Sequence, residues 1–114
     1  MTITTETRDG VAVAHLSGSL DMPAGKTFRE TAEIEARKSD LILDMAQVDF
    51  MDSAGLAALV LVIRGYKSAG KRCALAAPTP IVAKILKMTA IHQLAPIEES
   101  LETAIEAVKG KLTR

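Results

Sequence analysis

The sequence predicts an α/β domain, a mixed and mostly parallel sheet with flanking helices, over residues 1–114 as a single unit. Three observations carry that reading. Two strand-like segments meet at Asp9-Gly10, a two-residue hairpin signal. Leu41-Ile42-Leu43 is a short apolar run without alternation, the pattern of a strand covered on both faces. Helix-period stretches then alternate with short apolar runs to the end of the chain, which argues for parallel strands joined by packed helices.

Taken in order, Ile3 to Thr7 and Val11 to Ser17 read as the two strands of the hairpin. Asp21 followed by Pro23 is a helix-start signal, because Asp can cap free N–H groups and Pro lacks the one that would be orphaned. The helix is expected to run to about Arg37, with Ala24, Phe28, Thr31 and Ile34 inward and Lys26, Arg29, Glu30, Glu33 and Arg37 facing water. After the Leu41–Leu43 strand, a helix from Ala54 to about Ser68 repeats Leu56, Leu59, Ile63 and Tyr66 at helical spacing, and Gly70 marks its stop. Cys73 to Ala77 is the next strand. Thr79-Pro80 caps a helix with an apolar band of Ile81, Val82, Ile85, Leu86 and Met88. In the last helix Glu98, Glu99 and Glu102 lie near the start and Lys109 and Lys111 near the end, as the helix dipole favours, with Leu101, Ala104, Ile105 and Val108 as the buried stripe.

Composition removes several function classes. Fourteen basic residues balance fourteen acidic ones, so the basic footprint of a nucleic-acid binder is missing. The most apolar stretch, Leu56 to Ile63, meets Arg64 far short of a bilayer's width, so no membrane insertion is expected. The Thr-rich start, with Glu6, Arg8 and Asp9, is unlike a secretory signal. Cys73 is the single cysteine, which rules out an internal disulfide and suits a reducing, cytoplasmic setting.

The stretch Leu41 to Leu59, LILDMAQVDFMDSAGLAAL, is the most informative. A buried strand leads through Phe50-Met51 into a polar turn, and Ser53 sits where the following helix starts. A hydroxyl there is accessible to a modifying enzyme, and Gly55 keeps the first turn uncluttered. The plainer alternative is that Asp52 or Ser53 only caps the helix, worth about 1 kcal/mol. Projection at 100° per residue puts Leu56, Leu59 and Ile63 inward and leaves Ala54, Ala57, Ala58, Leu61 and Gly65 on the opposite side. That outer face, small and weakly apolar, reads as a docking surface for a partner, with Ser53 at its upper end.

These residues carry a resemblance. Asp9-Gly10, Gly18-Ser19-Leu20-Asp21, Phe50-Met51-Asp52-Ser53-Ala54-Gly55-Leu56, Ser68-Ala69-Gly70 and Thr79-Pro80 together resemble the STAS domain of bacterial anti-sigma-factor antagonists, over nearly the whole chain. The resemblance implies the STAS fold and a phosphorylation site at Ser53, with Asp52, Ala54 and Gly55 shaping its switch turn. It also implies partner switching. The unmodified antagonist binds an anti-sigma factor that is itself a GHKL-type serine kinase, phosphorylation ends the complex, and a PP2C-type phosphatase restores the hydroxyl. ATP and metal then belong to those partners, so no cofactor and no catalytic residue is expected here. Asp21, Ala57, Leu61 and Arg64 are the candidate partner-binding residues, and the chain is expected to be a monomer or weak dimer. Two positions depart from the family pattern: Ala54 stands where a second hydroxyl is frequent, and Ser19 where an acidic residue is common.

Other readings remain open on sequence. A STAS adaptor subunit of a larger assembly, such as a lipid transporter, would leave Ser53 unmodified. Asp40-Leu41-Ile42-Leu43-Asp44-Met45 resembles a receiver-domain strand ending in an acceptor aspartate at Asp44, although the acidic pair and late lysine that such chemistry needs are not evident. Ala24-Gly25-Lys26-Thr27 imitates the end of a phosphate-binding loop, but Leu20 occupies the required glycine position. His15 and His92 stand apart from any cysteine or carboxylate ligand pattern, so neither is expected to hold a metal.

Overall fold

A computed structural model describes residues 1–36 and 39–110, apart from the side chains of 34–36. Its elements are β1 (Thr2–Arg8), β2 (Val11–Leu20), α1 (Met22–Ala36), β3 (Leu41–Met51), α2 (Ser53–Ser68), β4 (Cys73–Ala76), α3 (Pro80–Met88), a short 3₁₀ turn (Ile91–Gln93), β5 (Ile97–Glu98) and α4 (Leu101–Val108). The strands lie in the order β1-β2-β3-β4-β5. β1 and β2 are antiparallel and every later pair is parallel, so the sheet is mixed and mostly parallel as predicted. Asp9 and Gly10 both take positive φ, 52° and 78°, the requirement of the tight hairpin turn that suits strand twist.

Side-chain alternation sends the residues of β2, β3 and β4 to two cores. Ala12, Ala14, Leu16, Leu41, Leu43 and Leu75 meet Phe28 of α1, Leu59 and Ile63 of α2, and Leu86 of α3. On the reverse face Val11, Val13, Ile42, Ala74 and Ala76 meet Ala104, Ile105 and Val108 of α4. Leu41, Ile42 and Leu43 are fully buried between the two layers, as their unbroken apolar run requires. Cys73 is buried in the larger core, and desolvation pushes its thiol up to about 12.

Several elements differ from the sequence expectation. β3 extends eight residues past Leu43. Between His15 and Ser17 of β2, and again between Gly18 and Ser19, β3 carries an extra residue, so Met45, Val48 and Met51 point inward at intervals of three. Two such bulges erase the alternation by which a strand is recognised. β2 likewise continues to Leu20, while β4 stops at Ala76 because Ala77 turns to φ 52°. α2 begins at Ser53, one residue early. Ile97–Glu98 forms a fifth strand, so Glu98 lies buried in the sheet and α4 starts only after the cap at Ser100. In α3, Val82 and Leu86 are buried but Ile81 and Met88 are exposed, because the short helix packs along one side only. The Ile34 side chain, expected inward, is not among those described, and Arg37 and Lys111 lie outside the described residues.

Candidate functional site: the switch turn between β3 and α2

In a parallel sheet each helix that follows a strand begins at the strands' carboxyl edge, so α1, α2 and α3 all start at one end of the molecule. Leu20 and Met51 are the paired last residues of β2 and β3 at that edge. The chain turns immediately after each of them. Asp21 caps α1, its Oδ1 accepting from the Ala24 N–H at 3.1 Å. Asp52 is the N-cap of α2, with extended backbone and its Oδ1 accepting from the Gly55 N–H at 2.7 Å. The other carboxylate oxygen of Asp52 accepts from the Met22 N–H at 3.3 Å, and the Asp52 N–H donates to the Leu20 carbonyl. One carboxylate therefore ties the starts of both helices together.

Gly55 makes that approach possible. A Cβ at this position would stand 1.8 Å from the Leu20 carbonyl oxygen and 2.6 Å from its carbon. No side chain fits there, so the glycine answers to close packing of helix on backbone rather than to turn conformation alone.

Ser53 follows as the first residue of α2 and is exposed. Asp52 has taken the capping role, and among the described residues the Ser53 hydroxyl enters no hydrogen bond. From Ser53 an exposed stripe runs down α2 through Ala57, Leu61 and Arg64, at steps of four, four and three residues. Leu61 keeps 55% of its surface open. Beside it lies a groove of about 420 Å³ between α1 and α2, lined by Arg29, Ala32 and Glu33 on one side and Leu61, Val62, Gly65 and Tyr66 on the other.

The structure thus brings Asp21, at the start of α1, and the Asp52–Ser53–Gly55 turn to the same edge of the sheet, and Ala57, Leu61 and Arg64 onto one exposed helix face. Ala54 is half-buried. Ala58 is a correction: expected outward, it is 5% exposed because α1 packs there, with Gly25 giving it room. Sequence reasoning missed Met22, Phe50 and Ile81, three large exposed apolar side chains at the starts of α1 and α3 and the end of β3. Their signal was present only for Phe50, an aromatic immediately before the turn. Asp44 lies mid-strand, where its carboxylate meets His15 and the Ala46 N–H, and not at a strand end as a receiver acceptor would. His15, which the sequence left apart from carboxylates, sits between Asp44 and Glu6. Among the described residues no three His, Cys, Asp or Glu side chains are arranged to hold a metal ion. Lys26, from the imitation phosphate loop, faces Glu30 within α1.

The family model described as the STAS domain matches residues 2–104. The chain belongs to the STAS domain family. A Bordetella bronchiseptica relative named as a candidate anti-sigma factor antagonist, BtrV, is 24% identical over the full length of both chains. The crystal structure of a candidate anti-sigma factor antagonist from Thermotoga maritima superposes with a TM-score of 0.86 at 22% identity, covering 94% of each chain. The anti-sigma factor antagonist SpoIIAA in its unphosphorylated form gives 0.78 at 22% identity, covering 98% of this chain and all of that one. The same protein, a Bacillus cell fate determinant, is similar in its phosphorylated form too, with a TM-score of 0.71 over 94% of this STAS chain and 99% of the other. These likenesses establish that the α/β sheet described above is the STAS fold.

Proposed function

We propose that this STAS domain is an anti-sigma factor antagonist whose unmodified switch turn docks on an anti-sigma factor, and that phosphorylation of Ser53 dissolves the complex. The observation that carries the reading is the Ser53 hydroxyl: exposed, unused by the fold, and at the head of the Ala57–Leu61–Arg64 stripe. The names carried by full-length relatives support the same reading. The partner is then a GHKL-type serine kinase as well as an anti-sigma factor. A PP2C-type phosphatase reverses the modification, in the same cytoplasm. The STAS chain contributes a substrate hydroxyl and a docking face, not catalysis.

Phosphoserine adds roughly 1.5 to 2 negative charges at neutral pH. On the free domain that charge sits at a helix N-terminus, where the dipole favours it, so the fold is kept. Within a complex the same charge has to be desolvated beside Asp52, whose carboxylate is committed to the Gly55 and Met22 N–H groups. A penalty of about 3 to 4 kcal/mol weakens binding by roughly two to three orders of magnitude.

The test is incubation with ATP and each anti-sigma kinase of the source organism, with the phosphate located by mass spectrometry and affinity measured by calorimetry. Modification at Ser53 is expected, together with a roughly 100- to 1,000-fold weaker complex for Ser53→Asp. Phosphate on Asp44, or unchanged binding by Ser53→Asp and Ser53→Ala, overturns the reading. A stable complex with a transporter component that ignores both substitutions points to the adaptor role.

A further inference from the structure

The face of the sheet away from the switch turn's helices carries a second organised cluster. Val11, Val13 and Ile42 are buried there under α4. One alternation further along the same strands stand His15 on β2 and Asp44 on β3, which are register partners, and Glu6 on β1, the partner of Val13. These three side chains lie on one surface across three adjacent strands. The His15 Nδ1 is 2.6 Å from Asp44 Oδ2, and its Nε2 is 2.5 Å from Glu6 Oε2. Arg8 completes the row, donating to the other oxygen of Glu6 at 2.8 Å.

A neutral imidazole has one N–H and one lone pair, so it can satisfy only one of two carboxylates. Both ring nitrogens face carboxylate oxygens here, and only the imidazolium donates to both. The strand tied down at the outer end has little else to hold its side chains: in β1 Ile3 alone is half-buried and the others are exposed. β1 is also an edge strand, paired on one side only.

We propose that the Glu6–His15–Asp44 chain is a proton-operated clamp that holds edge strand β1 onto the sheet, closed while His15 carries both ring protons and loosened when it loses one. Release uncovers the outer edge of β2, a row of N–H and C=O groups able to accept another strand.

The electrostatics agree in sign. Burial works against a charged His15, but the bonds to Glu6 and Asp44 outweigh it and hold its pKa above the ordinary 6.5. Glu6 is held below its ordinary 4.5 by the bond to Arg8 and then by His15. The other charge in range, Glu102 of α4, acts through Arg8. His15 therefore contributes fully below pH 6.5, and its share is lost as the pH climbs through its raised folded value. The carboxylate share of Glu6 is present above pH 4.5 and lost as the pH falls through its lowered value. The clamp is tight between the two limits and opens on the alkaline side.

The test uses the isotope-labelled full chain, following the His15 ring by NMR and the exchange of backbone amides between pH 6 and 9. The ordinary histidine value of 6.5 is the reference. The His15 midpoint is expected above 6.5, and the corrected protection of the β1–β2 ladder is expected to fall about tenfold for each unit of that difference. The β3–β4 ladder should hold. In His15→Gln the β1–β2 protection is low at both pH values, and in Asp44→Asn the His15 midpoint drops. A His15 midpoint at or below 6.5, or β1–β2 protection that tracks β3–β4 in the unmodified chain, overturns the clamp. Both of these readings come from the native sequence, so a variant that fails to fold does not decide the matter.

Discussion

Two serines sit at helix starts in this molecule, and their hydroxyls have opposite fates. Ser100 is the N-cap of α4: its Oγ accepts from the Thr103 N–H at 3.2 Å and meets the Thr103 hydroxyl at 3.0 Å. Ser53 stands one position inside α2, because Asp52 has already supplied the cap. The fold uses the first hydroxyl and leaves the second idle. A side chain without a structural task can gain or lose a phosphate while the domain stays folded, which is what a reversible docking switch demands.

The sharpest way to probe that arrangement is at its steric hinge. Gly55→Ala forces a methyl group against the Leu20 carbonyl and is expected to cost about 3 kcal/mol or more in denaturant unfolding, at the upper end of overpacking, because backbone yields less than a side chain. Next comes the cap itself. Asp52→Ala frees the Gly55 and Met22 N–H groups and should cost about 1 to 2 kcal/mol, whereas Asp52→Asn should cost little, since Asn caps as well. The smallest and most discriminating pair is Ser100→Ala against Ser53→Ala. The former is expected to lose about 1 kcal/mol with its cap, the latter less than about 0.5. Equal losses in chemical denaturation would break the contrast, and so would a stability change in Ser53→Ala exceeding that of Asp52→Ala.

How much of this was legible in the sequence depends on how far apart the causes lie along the chain. The hairpin, the four helices and the buried run at Leu41–Leu43 follow from local signals, and the structure carries all of them. β3 was cut short because its bulges put Met45, Val48 and Met51 on one face at a spacing that no strand template contains. β5 is two residues long and has no pattern to read. In the switch turn, the Asp52 cap and the accessible Ser53 come from adjacent residues, and cap chemistry plus the family resemblance pointed to both. The reason for Gly55 is a carbonyl 35 positions earlier, visible only once β2 and β3 are paired. Ala58 was misread for a similar cause: a helical wheel gives the angle of a residue but not the position of the neighbouring helix. The Glu6–His15–Asp44 row required the registers of three strands at once.

The buried Cys73 has a practical corollary. Its thiol is shielded by the larger core and held far from the thiolate form at neutral pH, so thiol-selective dyes meet no reactive sulfur on the native surface. A cysteine introduced at Leu61 would be the molecule's one readily labelled thiol, allowing fluorescence to follow the proposed docking on α2 without first stripping out the native sulfur. The same silent thiol would turn reactive on unfolding, giving each preparation its own integrity check.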